Sequence, residues 1–90
     1  MSVYLAMERA AALEAVKLAQ KESVAVWIGS DALSNEEIKA SRLDGVNLTR
    51  FAYPLSNATT EDINSALGGI EEHHPDETIW VQHVSRGVAV

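Results

Sequence analysis

The sequence predicts a small three-layer α/β domain, with helices covering a three-stranded parallel sheet like half of a flavodoxin-like or Rossmann-like fold. Helix-period and strand-like segments alternate from one end of the chain to the other. Each connection between strand-like segments is long enough to hold a helix, as parallel pairing requires. The first strand-like segment is a continuous apolar run, as expected of a strand covered on both faces.

From Val3 to Lys21 the chain is rich in Ala, Leu, Met, Glu and Lys, all strong helix formers, and this stretch reads as the first helix. Ser23 to Ile28, SVAVWI, is β-branched and aromatic and reads as the first strand. After the turn Gly29-Ser30-Asp31, Ser34-Asn35-Glu36-Glu37 fits a capping box that starts a second helix. That helix should stop at Leu43-Asp44-Gly45, where Gly45 can take the left-handed cap. Val46 to Tyr53 is the second strand, closed by Pro54 and Leu55-Ser56-Asn57. Thr59 or Thr60 caps the third helix, with Glu61 and Asp62 favourably placed against its dipole. Ile63, Ala66 and Ile70 form its inward stripe, and Thr78 to Val84 is the third strand.

The second and third strands mix polar residues into their pattern, so the first strand is expected in the centre, in order 2-1-3. An order of 1-2-3 is the alternative. Residues 1–90 are expected to form one domain, with about 85–90 as a flexible tail.

Composition narrows the function classes. The formal charge is −6, and the seven cations are scattered along the sequence. Duplex nucleic acid, which calls for a concentrated basic patch, is therefore disfavoured. There is no cysteine, so disulfides and thiolate zinc sites are out of reach. The start of the chain lacks the basic and long apolar regions of a secretory signal, and VAVWI is too short to span a bilayer. A soluble, cytoplasmic protein without membrane partners is the expectation.

EEHHPDET, Glu71 to Thr78, places two histidines among carboxylates, with His83 soon after. Pro75 cannot continue a helix and disfavours helical geometry at His74. Successive helical residues point about 100° apart, which makes His73 and His74 poor co-ligands. His74 is in phase with Ile63 and Ile70, and His83 with Ile79 and Val81, so both are expected to pack. No HxxxH or HxH spacing occurs, and the run reads as a helix stop with no metal.

Glu37-Ile38-Lys39 has the ExK spacing of metal-dependent nucleases, but the capping box puts it on a helix, where i and i+2 do not face each other. Gly29-Ser30-Asp31 is not a nucleophile elbow, and no GxGxxG, P-loop or HExxH motif occurs. Neither a catalytic set nor a cofactor is expected. Trp27 and Trp80 lie in strand-like segments and are expected in the core.

Two functional expectations remain. Leu5, Ala12, Leu13, Val16 and Ala19 form one apolar stripe on the first helix as read from sequence. Tyr4, Met7, Ala11, Ala15 and Leu18 form another, which suggests a homodimeric interaction module joined through that helix or a sheet edge. In open parallel sheets, ligands sit beyond the carboxyl ends of the strands. That rule selects Ser30, Asp31, Asn57 and Arg86, close to His83 and Ser85, as a binding set for a small anion.

Overall fold

The computed structural model describes residues 2–55 and 58–82. Four strands and three helices alternate: β1 (Ser2–Ala6), α1 (Arg9–Lys21), β2 (Ala25–Ile28), α2 (Asn35–Leu43), β3 (Asn47–Arg50), α3 (Thr60–His73) and β4 (Thr78–Gln82). All pairings are parallel, in the order β3-β2-β1-β4. This is the order of the first four strands of a Rossmann-type sheet, not the 2-1-3 start of a flavodoxin-type sheet.

The α/β class and parallel sheet agree with the sequence, but its start needs correcting. Val3 to Ala6 is not helical: Ser2–Ala6 is a strand, and the helix begins only at Arg9. Val3 and Leu5 are fully buried on one face of β1, while Tyr4 and Ala6 face the other. That alternation is the period-2 pattern of a strand. Glu8 breaks the chain between the elements by adopting extended backbone, φ −129° and ψ 162°. The three strands expected from sequence keep their relative order, but β1 is inserted between the first and the third of them.

Both faces of the sheet are covered. α1 and α2 lie on one face, where Ala12, Ala15, Val16 and Ile38 pack on Ala6, Val26, Ile28 and Leu48. α3 crosses the other, with Ala66 and Ile70 set against Val3, Leu5, Ala25 and Trp27. All four residues of β2 are buried, which explains its unbroken apolar sequence. Burying a side chain such as Val26 or Ile28 contributes about 1.5–3 kcal/mol.

Helix ends follow the local chemistry read from the sequence. The Ser34 hydroxyl accepts from the Glu37 N–H at 3.1 Å while Glu37 accepts from the Ser34 N–H at 2.9 Å. Thr59 and Asp62 repeat that box at α3, and Gly45 takes φ +90° after α2. At the far end of α3, His74 is the cap, and Asp76 adopts φ +66° in the turn after Pro75. His74 is partly buried: its Nδ1 lies 2.9 Å from Glu77 Oε2, and its ring meets Trp27 edge-on at 6.0 Å. EEHHPDET is thus a helix end followed by a turn.

The tryptophans separate. Trp27 is in the core at 8% exposure, flanked by Phe51 and His73, and its buried Nε1 has no hydrogen-bond partner among the described residues. Trp80 is not a core residue: it is 54% exposed on the edge strand β4. No helix among the described residues is long and apolar enough to cross a membrane.

Candidate functional site

The carboxyl ends of the strands are built from Met7-Glu8-Arg9 after β1, Gly29-Ser30-Asp31 after β2 and the segment from Phe51 after β3. Ser30 and Asp31 are at the expected end of the sheet. Asn57 and Arg86, like His83 and Ser85, lie outside the described residues. β2 and β4 are not neighbours: β1, followed by Met7 and Glu8, lies between them. With strands about 4.8 Å apart, Ser30 stands two strand spacings from the end of β4. Glu8 and Asp31 are both engaged by other groups.

The end of β2 is also partly roofed. Ser30 N–H donates to Tyr53 O at 3.0 Å, which ties the segment after β3 across Gly29. A Cβ on Gly29 would stand 2.8 Å from Leu55 N and 2.9 Å from Leu55 Cβ, so the crossing needs a glycine there. Leu55 is 1% exposed and joins Met7, Leu5 and Trp27 in the core on the α3 face.

On the other face the helix starts are tied together. Arg9, in the first turn of α1, donates through both terminal nitrogens to Glu37 at 2.6 and 2.6 Å. These bonds, with the Ser34 backbone N–H, hold the Glu37 carboxyl down from the ordinary 4.5 to about 2. Arg9 is raised in turn by its hydrogen bonds to Glu37. The guanidinium in the first turn of α1 is therefore neutralised by Glu37. The capping box fixes the rotamer of Glu37, and Glu37 fixes Arg9.

The two sheet edges differ. At β3 the outward carbonyl of Leu48 accepts from Arg42 Nε at 3.1 Å and Arg42 Nη2 at 3.0 Å. That guanidinium occupies an edge acceptor which another strand would need. β4, Thr-Ile-Trp-Val-Gln, carries no charged residue. Register sets Trp80 beside Tyr4 on the α1 face and Val81 beside Leu5 on the α3 face, and Val81 is 38% exposed. Sequence reading missed this contrast because strand-like apolar residues look alike whether they are central or at an edge.

The two-stripe pattern read on the first helix dissolves in the structure. Tyr4 and Leu5 belong to β1, and Ala11, Ala12, Ala15 and Val16 form one buried face of α1. No protein-family model, curated protein or solved structure matches the chain.

Proposed function

We propose that the chain is a non-enzymatic interaction module of the cytoplasm that works as a homodimer, joined through the β4 edge. The observation that carries this reading is Trp80, half exposed on an uncharged edge strand that also exposes Val81. Edge strands are ordinarily protected by charge, by bulges or by a covering element. The β3 edge has such protection in Arg42, while β4 shows none among the described residues. Two β4 strands pairing antiparallel about a twofold axis would form an isologous, closed contact and one continuous sheet. A second copy suits a chain of charge −6 at this place, because β4 brings no carboxylate to the contact. The absence of cysteine suits a reducing compartment.

Sedimentation across the micromolar range tests the proposal. The wild type should sediment at twice the chain mass, and Trp80→Lys and Val81→Lys should each sediment as monomers with unchanged circular dichroism. In a Trp27→Phe background, Trp80 emission should shift to the blue as concentration rises. A wild type that stays monomeric overturns the reading, and a dimer indifferent to both substitutions overturns the β4 assignment.

A further inference from the structure

Three of the seven cations, Lys39, Arg42 and Arg50, line one recess of about 470 Å³ between α2 and the β3 edge. Asn35, Ile38 and Leu43 complete the wall. No carboxylate among the described residues lines it, although acidic residues outnumber basic ones in the chain.

The two guanidiniums are held by neutral acceptors. Arg42 rests on the Leu48 carbonyl through Nε and Nη2, and Arg50 donates Nη1 to Asn35 Oδ1 at 2.7 Å. Among the described residues Arg9 forms an ion pair with Glu37, and none of the three recess cations is paired with a carboxylate. Arg9 shows the opposite arrangement, its charge consumed by a bidentate carboxylate. Holding a guanidinium with a carbonyl or an amide orients it without cancelling its charge. Little side-chain freedom is then lost when an anion arrives.

The apolar part of the wall sets the rest of the ligand. Ile38 is buried, and Leu43 is 79% exposed beside the three cations. The volume lies within the range of small-molecule sites, about 300–1,000 Å³.

We propose that this recess binds a small organic phosphate monoester, with the phosphate between Lys39, Arg42 and Arg50 and an apolar or aromatic body against Ile38 and Leu43. Arg42 keeps Nη1 free of the Leu48 carbonyl, and Arg50 keeps Nη2 free of Asn35, so each can donate to phosphate oxygens. The recess runs along the β3 edge up to Arg50, the last residue of β3, and Asn35, the first of α2. It lies along the opposite sheet edge from β4, so it does not rest on the dimer reading.

The test is an NMR titration of the full chain with phenyl phosphate, inorganic phosphate, phenol and a polyglutamate peptide. Phenyl phosphate should shift the amides of residues 35–43 and 48–50, bind more tightly than inorganic phosphate or phenol, and weaken as salt is raised. Lys39→Gln and Arg50→Gln should each weaken it by about tenfold or more, the scale of a lost charge-assisted contact. Arg9→Gln should leave the affinity unchanged, and unaltered melting temperatures would show that each variant folds. The proposal is overturned if phenyl phosphate gives no shifts at millimolar concentration or shifts other residues. It is also overturned if binding is indifferent to Lys39→Gln and Arg50→Gln, or if only the peptide binds.

Discussion

Arg9 and Glu37 hold each other by two parallel contacts of 2.6 Å, joining the start of α1 to the start of α2. Glu37 simultaneously closes the capping box with Ser34, so one carboxylate serves a helix end and an inter-helix tie.

This pair sets a pH dependence. The folded Glu37 carboxyl titrates at about 2 against an ordinary value of 4.5, so protons bind the unfolded chain preferentially. Its contribution to stability is complete above pH 4.5 and is lost as pH falls from 4.5 towards 2. Urea unfolding measured through that window should lose stability less steeply in Glu37→Gln than in wild type. In Arg9→Gln, an NMR titration should find the Glu37 carboxyl moved back up towards its ordinary value; no movement would discount the pair.

The two turn glycines should respond differently to alanine. At Gly29 a Cβ collides with the Leu55 backbone, and overpacking of this kind costs about 1–3 kcal/mol. Amide shifts should spread through Tyr53 and Leu55. Gly45 has open space around it but φ +90°, so Gly45→Ala should cost about 1–2 kcal/mol from backbone strain alone, with shifts confined to its own turn. Denaturant midpoints and amide spectra of both variants decide the matter.

Leu5→Ala should destabilise by about 2–5 kcal/mol, because it empties a fully buried position on a strand paired on both sides. Hydrogen exchange should also find the amides of Val3 to Ala6 among the most protected. Rapid exchange there would contradict the interior placement of β1.

Arg42→Ala should cost about 0.5–1.5 kcal/mol for the lost contact to the Leu48 carbonyl. It should also expose the β3 edge, and light scattering at rising concentration should show more association than in wild type.

Much of the fold was legible because it is specified locally. Ser34 with Glu37, Thr59 with Asp62, Gly45 and Pro75 punctuate the helices where their chemistry places them. β1 was not legible because Val3-Tyr4-Leu5 runs into Met7 and an alanine-rich helix without a glycine or proline between them. A short apolar run followed by helix formers fits either period. Missing β1 misplaced everything that depended on its neighbours, including the expected adjacency of Ser30 and the end of β4 and the second stripe on the first helix. The cationic recess was not legible either: Lys39 and Arg42 are three apart on α2, but Arg50 joins them only through the packing of α2 beside β3. In sequence they look scattered.

The pairing of β1 with β4 joins Ser2 to Thr78 and Ala6 to Gln82, strands separated by every other element of the fold. Contacts that close so long a loop form late and slow folding, whatever the final stability. By that rule the β1–β4 pairing should be among the last to form, leaving one row of β1 backbone groups unpaired until then. Val3 and Leu5 would then lie next to an open strand edge, for which a neighbouring molecule's β4 competes only at high protein concentration. Crowded refolding should then yield swapped assemblies whose subunits are individually well formed.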